Sequence, residues 1–218
     1  GIFQEDGEED YYKLTVDQPG KNYMEVDLTA VPGVNVRLQI IDKDKNIVWD
    51  VNDGSEGEPE CVKYFTVTKG VYYIWVQGSH QNIKNKYSLS TRLVGAWQEN
   101  QEAEPNDDAK SANEVKLNTP FSGRINRSSD IDYCLLKVPQ PGMDIIFMQL
   151  SGIPDVHYFL EVYDDKENRL EQLSWEGTEK GPEIVKMKLK SGNYLLQVSS
   201  TPGKNVGRNT PSGPGNRP

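Results

Sequence analysis

Hydrophobic and polar residues alternate along most of this chain, in short runs broken by proline and glycine. Residues 10–16, Asp-Tyr-Tyr-Lys-Leu-Thr-Val, place Tyr12, Leu14 and Val16 on one parity, the period of a strand with one buried face. Pro19-Gly20 then predicts a turn. Residues 23–28 and 34–41 alternate again around Val31-Pro-Gly33, and 42–46, Asp-Lys-Asp-Lys-Asn, reads as a polar hairpin tip. Residues 62–67 and 71–76 make another alternating pair about Lys69-Gly70, and 87–94 is one more strand. No stretch keeps apolar residues at i, i+3, i+4 and i+7 over three turns, so almost no helix is expected.

The pattern then repeats. Asp10 and Asp132 lie 122 residues apart, and so do Pro19-Gly20 and Pro141-Gly142, Leu28 and Leu150, Pro32 and Pro154, Asp42 and Asp164, Asn46 and Asn168, Gly70 and Gly192, and Tyr72 and Tyr194. A unit of this length is a domain rather than a solenoid repeat. The core parity repeats with it: Cys134, Leu136 and Val138 follow Tyr12, Leu14 and Val16, while Tyr194, Leu196 and Val198 follow Tyr72, Ile74 and Val76. Short strands with Pro/Gly turns at this spacing predict an all-β chain of two tandem antiparallel jelly-roll-like β-sandwich domains. The first is expected over 1–95 and the second over 96–200, with a Gly/Pro-rich flexible tail at 201–218.

The register also shows what does not match. The second copy opens with residues 102–118, which have no counterpart after Gly1. Strand 87–94 should recur at 209–216, but Asn-Thr-Pro-Ser-Gly-Pro-Gly-Asn stands there, and proline lacks the ladder N–H. The expectation is a segment of a longer chain, or two halves that each complete the other's sheet. Gly1 is preceded by no methionine or signal-type apolar run, so an export signal is expected outside this stretch.

Composition narrows the partners. Eleven Tyr, five Phe and four Trp are too many aromatics for a disordered chain, although only 35% of residues are hydrophobic. With 24 Lys+Arg against 33 Asp+Glu the formal charge is −9. That argues against nucleic acid and anionic membrane, which select basic surfaces, and it suits a protein that handles divalent cations. No apolar run of about 18 residues is present, so no membrane insertion is expected. Cys61 and Cys134 occupy non-equivalent positions and read as two small apolar side chains rather than a repeated disulfide.

Three features fall in order across the second copy. They are Glu104-Pro-Asn-Asp107 at its opening, Gly123-Arg-Ile with Asp130-Ile-Asp-Tyr133 at its first core strand, and 189–198, Leu-Lys-Ser-Gly-Asn-Tyr-Leu-Leu-Gln-Val, near its end. The first copy carries the latter two as Glu9-Asp-Tyr-Tyr12 and 67–76, Val-Thr-Lys-Gly-Val-Tyr-Tyr-Ile-Trp-Val. In this the chain resembles the bacterial pre-peptidase C-terminal (PPC) domain family, which includes the collagen-binding modules of clostridial collagenases. The resemblance covers nearly everything but the tail. It implies a jelly-roll sandwich appended to secreted peptidases and other exported proteins, with calcium bound by an acidic N-terminal arm in some members. The aromatic after Asp-x-Asp is Tyr133 here, where the family usually has Trp.

Chemistry gives the arm its own argument. In an extended segment Glu102, Glu104 and Asn106 point one way, Pro105 stiffens the run and Asp107 follows at its turn. Asp130 and Asp132 share a face at the start of the core strand. Together they bring hard oxygen donors to one point, as calcium requires with its 6–8 oxygen ligands. Without a cation their repulsion would splay the arm, so the metal acts as a staple. One Ca2+ site is expected, in the second domain, on Glu102, Glu104, Asn106, Asp107, Asp130 and Asp132. The alternative is a solvated acidic linker in which Asp107 or Asp108 caps a short helical turn over 109–113. In the first copy Glu8 and Asp10 keep only the strand half, and no site is expected.

Catalysis finds little footing. His80 and His157 lie at different points of the repeat, and no His-Glu-x-x-His, Gly-x-Ser-x-Gly or phosphate loop occurs. A Cys134–His157 dyad conflicts with the core parity of Cys134. Binding is better supported: Tyr11, Tyr73, Trp75 and Tyr133 fall on the outward parity, and exposed aromatics suit fibrous protein or sugar ligands. The competing explanation is cover by a loop or a neighbouring domain. The expectation is therefore a non-catalytic accessory module of an exported bacterial protein, secreted or at the cell surface. It is calcium-stabilised, has a peptidase domain in cis, and binds an extracellular protein or polysaccharide polymer. The alternative is a purely structural spacer or folding aid.

Overall fold

The computed structural model describes residues 1–127, 130–151, 156–176 and 183–202. Every regular element among them is a β-strand, and the chain divides into two compact units, Gly1–Gln98 and Glu99–Pro218. Residues 209–216, where the repeat would place a last strand that the sequence does not support, lie outside the described residues, as does most of the tail.

In the first unit β1 (Glu9–Leu28), β2 (Val36–Ile41), β3 (Ile47–Val51), β4 (Glu60–Gly78) and β5 (Leu89–Ala96) form one sheet in the order β3-β2-β4-β1-β5. Its spine is the antiparallel β1–β4 ladder. Where the sequence predicted two strand pairs separated by turns, a single 20-residue strand runs beside a single 19-residue one. Pro19-Gly20 does not reverse the chain. Pairing runs to Val16↔Gly70 and resumes at Lys21↔Thr68, so residues 17–20 all stand opposite Lys69. Pro19 has no N–H to give a ladder and Gly20 takes a left-handed φ of 76°, so the surplus residues bulge and bend the strand. A second shift falls between Met24 and Val26, beside Tyr64 at φ 56°.

These bends fold the sheet onto itself. β2 pairs with the last part of β4, from Val36↔Gly78 to Ile41↔Tyr73, whereas β5 pairs with the last part of β1, from Leu28↔Leu89 to Asn22↔Ala96. Val36, Leu38, Ile40, Ile74 and Val76 from one half meet Met24, Val26, Leu28, Val62, Phe65 and Val67 from the other in one core cluster. The unit is a β-sandwich whose long strands pass from one layer to the other.

The second unit contains β6 (Asn113–Val115), β7 (Ile131–Leu150), β8 (Val156–Tyr163), β9 (Arg169–Glu176) and β10 (Glu183–Pro202), ordered β6-β7-β10-β8-β9. Its ladders keep the offset of 122 up to Ile146↔Met187, beyond which the shift seen between Met24 and Val26 is absent and Met148 pairs with Val185. Glu9↔Gln77 recurs as Ile131↔Ser199, Leu38↔Val76 as Leu160↔Val198, and the bulge as residues 139–142 opposite Ser191. Even the hairpin tips coincide. Asp42 Oδ1 accepts the N–H groups of Asp44 and Asn46 at 2.8 and 2.9 Å, and Asp164 Oδ1 accepts those of Lys166 and Asn168 at 2.9 Å. Lys45 and Glu167 close the two tips with φ of 68° and 61°.

The units differ in their fifth strand. β5 lies antiparallel along Asn22–Leu28, but β6 lies parallel to the opposite half of its partner, at Cys134–Leu136. Among the described residues, nothing pairs with 144–150 of β7 on the side away from β10. Strands β3 and β9 escaped the alternation rule. Ile47, Val48 and Trp49 are apolar in succession; Trp49 and Val51 are buried in the core, Val48 is half-buried against it and Ile47 is exposed.

Candidate metal centre

The arm is fastened by its backbone before its side chains do anything. Glu102 N–H donates to Ser122 O at 2.9 Å, Ser122 N–H to Asn100 O at 3.0 Å, and Tyr133 N–H to Asn106 O at 3.0 Å. Asn113 clamps Ala103 from both sides, its Oδ1 accepting at 2.8 Å and its Nδ2 donating at 3.2 Å. Held extended, residues 102–106 alternate buried and less buried, and Glu102, Glu104 and Asn106 all turn inward. Asp108 accepts the N–H groups of Lys110 and Ser111, both at 2.8 Å. That closes a turn in place of the helical one considered from the sequence, and its donors hold the Asp108 carboxyl below the ordinary range.

Five of the six proposed ligands converge. Glu102, Glu104, Asn106, Asp130 and Asp132 are each between 0% and 6% exposed, which excludes a solvated linker. One carboxylate oxygen from each of Glu102, Glu104 and Asp132 lies within 4.8 Å of the other two. Asp130 closes the group from the loop, with Oδ2 accepting Asn126 N–H. The sixth, Asp107, is half-buried and turns to Arg127 Nη2 at 3.0 Å. Asn126, which no feature of the pattern marked, is buried and donates Nδ2 to Glu104 Oε1 at 2.9 Å. Asn106 N–H donates to Glu104 Oε2 at 3.0 Å, and Arg124 N–H to Glu102 Oε2 at 2.6 Å.

So many buried carboxylates are not at ease as anions. Burial first, then the charge of Glu104, pushes Glu102 up to about 9. Burial followed by the charges of Asp130 and Asp107 pushes Glu104 up to about 8. Asp132 is held well above the usual range by burial and then by Glu102. Asn106 Oδ1, Asn126 Oδ1 and Asp132 Oδ1 are buried with no donor among the described residues. Such acceptors call for a proton or a cation. The donor set is entirely oxygen, the preference of calcium or magnesium rather than zinc. Two Ca–O bonds of about 2.4 Å placed opposite each other span roughly 4.8 Å, so one ion could reach an oxygen of all three carboxylates.

The first unit solves the same position differently. Asp10, the counterpart of Asp132, accepts the Tyr87 hydroxyl, which also lies 2.5 Å from that of Tyr12. A methyl group on Gly1 would fall 2.3 Å from the Tyr87 ring, whereas one on its counterpart Gly123 would fall 2.7 Å from Glu102 Oε2. Glu102 thus takes the corner that a phenol fills in the first unit.

The proposed aromatic face holds only in part. Tyr11 is 61% exposed and Tyr73 is half-buried, but Trp75 is 7% exposed and belongs to the buried set. Parity alone read Trp75 as an exposed aromatic, but the structure buries it. It stands between Tyr11 and Gln39, with the Arg37 guanidinium 5.8 Å from its ring centre. Asp50 fixes that guanidinium by a 2.9 Å bond from Nε and also accepts Gln39 Nε2 at 3.0 Å. Tyr133 is half-buried, its hydroxyl donating to Gln197 Oε1 at 2.7 Å. Burial pushes the Cys134 thiol up to about 12, the opposite of an activated nucleophile. His157 packs its ring on Phe159 at 4.8 Å.

No protein-family model matches the chain, and no curated protein sequence matches it. Among solved structures, the PBSX exported protein XepA aligns over 92% of this chain and 86% of its own, at 11% identity and a TM-score of 0.33. The coconut allergen cocosin aligns over 93% and 83%, at 10% identity and a TM-score of 0.12. Neither likeness is close enough to bear on function.

Proposed function

We propose that the chain is a calcium-stapled, non-catalytic accessory module of an exported bacterial protein. Glu102, Glu104 and Asp132 are the carboxylate ligands, Asn106 and Asn126 stand by as amide oxygens, and Asp130 adds charge. The observation that carries the reading is the burial of three carboxylates with oxygens within 4.8 Å of one another. A divalent cation supplies the positive charge that lets these groups stay ionised. The protein supplies the cage and, through the Glu102–Ser122 and Asn106–Tyr133 backbone bonds, ties the arm to the sheet that bears Asp132. The resemblance to pre-peptidase C-terminal domains supports a place beside a secreted peptidase domain, with a matrix or surface polymer, protein or polysaccharide, as ligand.

Calorimetric titration with calcium tests the metal. A saturable 1:1 isotherm with a rise in melting temperature is expected, and no heat with no rise would sink it. The burial of Trp75 favours a second reading, a structural spacer or folding aid, because it leaves Tyr11 exposed and Tyr73 half-buried as what remains of the aromatic face in the first unit. Co-sedimentation with insoluble collagen and with cellulose separates the two. Retention that Tyr11→Ala abolishes supports the binding module, and no retention on either supports the spacer.

A further inference from the structure

We propose that the second unit takes up an extended strand from a partner polypeptide, which adds antiparallel to residues 144–150 of β7 and seats an aromatic side chain in the cavity beside Tyr158. The first unit supplies the template, since there the same edge is already filled by its own chain. β5 runs along Asn22–Leu28, and the residues leading into it anchor Tyr87. Its ring is buried and stacks on Phe3 at 4.9 Å, and its N–H donates to Gly1 O at 3.0 Å. Ser88 and Thr29 exchange hydrogen bonds, Ser88 N–H to Thr29 Oγ1 at 2.8 Å and Thr29 N–H to Ser88 O at 3.0 Å.

In the second unit these positions line an open cavity of about 270 Å³. Gly123, Ile125, Asp132, Cys134, Leu150 and Ser151 on its wall are the counterparts of Gly1, Phe3, Asp10, Tyr12, Leu28 and Thr29. Small-molecule sites run to roughly 300–1,000 Å³, so this volume fits a single side chain. Tyr158 lines the same cavity. It is 3% exposed, and its hydroxyl is buried with no hydrogen-bond partner among the described residues. Its counterpart is Val36, so the fold does not require a hydroxyl there. Because Glu102 holds the corner against Gly123, an incoming ring sits farther out, toward Tyr158.

The occupant's chemistry follows from the edge itself. β-strand addition takes affinity from main-chain bonds along an unpaired edge and specificity from alternate side chains. In the first unit β5 sets Arg92 against Glu25. The counterpart of Glu25 is Phe147, 65% exposed, with Ile145 beside it at 51%. The incoming strand therefore carries an apolar side chain where β5 carries arginine. The residue 122 beyond Tyr87 is Asn209, followed by Pro211 and Pro214. That stretch offers neither the aromatic nor continuous ladder donors, so it is not the strand proposed. This inference does not rest on the calcium reading, although Glu102 and Asp132 border both sites.

The probe is a fluorescein-labelled peptide of residues 85–96 carrying Arg92→Leu, titrated with the protein by anisotropy in calcium and, separately, in EDTA. Saturable 1:1 binding in either buffer is expected. It should weaken at least tenfold when the peptide also carries Tyr87→Ala. It should weaken as much when the protein carries Phe147→Glu or Ser151→Trp, both at exposed positions and checked for folding by their melting curves. Binding in EDTA supports the inference whatever calcium does. No saturation in both buffers overturns it, and so does equal affinity for the Tyr87→Ala peptide. A dimer in sedimentation that Phe147→Glu dissociates also overturns it, because a second copy would then hold the edge.

Discussion

Asp10 and Asp132 stand on the same rung of their ladders, opposite Val76 and Val198, and are kept in the fold by different chemistry. Asp10 accepts a phenol hydroxyl. Asp132 sits among Glu102, Glu104 and Asp130, whose charges add to burial in disfavouring its anion. One position thus takes a neutral donor in one unit and a crowd of buried carboxylates in the other.

The cage gives the metal-free protein a pH dependence. Unfolded, its glutamates release their protons near the ordinary 4.5, whereas folded they keep them to about 8 at Glu104 and about 9 at Glu102. Between those limits the folded state holds more protons, so stability falls as pH rises. In EDTA the melting temperature of the second unit should drop by roughly 5 °C or more from pH 5.5 to pH 8.5. Calcium replaces the protons and should remove most of that drop. A flat profile in EDTA would count against the cage.

Glu104→Gln and Asp132→Asn should act in opposite directions with and without metal. Each removes a negative charge from a crowded interior, so each should raise the EDTA melting temperature at pH 8.5. Each also removes a ligand oxygen and should abolish the calcium-induced rise. Paired calorimetric scans check both signs, and a calcium response retained by either variant would exclude that residue as a ligand.

In the first unit, Tyr87→Phe keeps the ring stacked on Phe3 but deletes the donor to Asp10. A lost hydrogen bond to a charged group costs about 1.5–3 kcal/mol. Urea denaturation should show a loss of this size, with the calcium response unchanged. A loss under about 0.5 kcal/mol, the scale of a neutral surface change, would mean that Asp10 does not depend on the hydroxyl.

Trp75→Ala should cost about 3–5 kcal/mol, as for a buried aromatic, while Tyr11→Ala on the neighbouring strand should stay within about 0.5 kcal/mol. Equal, small effects on the urea midpoint would return Trp75 to the surface.

Residue types that a local geometry demands were readable in advance. Asp42 with Asn46 and Asp164 with Asn168 fix their tips through hydrogen bonds only four residues apart in sequence, so the offset of 122 showed both the repeat and its register. The inward stripe of Glu102, Glu104 and Asn106 was equally local, because it needs only an extended backbone. Long-range partners decided what failed. Pro19-Gly20 announces a missing ladder donor, but whether the chain turns or bulges depends on Lys69-Gly70 alongside. Trp75 has the parity of an outward residue, but it is buried, with Arg37 of a neighbouring strand over its ring. Asp107 has the spacing of a ligand, and Arg127 draws it aside.

The shared register has a consequence for how the protein is made. Two spines, β1 with β4 and β7 with β10, follow one pattern closely enough for strands to be exchanged between them. On the ribosome, β4 emerges before any of β7 exists, and at about 5–20 residues per second the interval from β4 to β7 lasts seconds. Birth order therefore sorts the ladders. A chain refolded from denaturant has all four long strands at once and loses that protection, so crossed pairing between the repeats is the misfolding route to which this architecture is open.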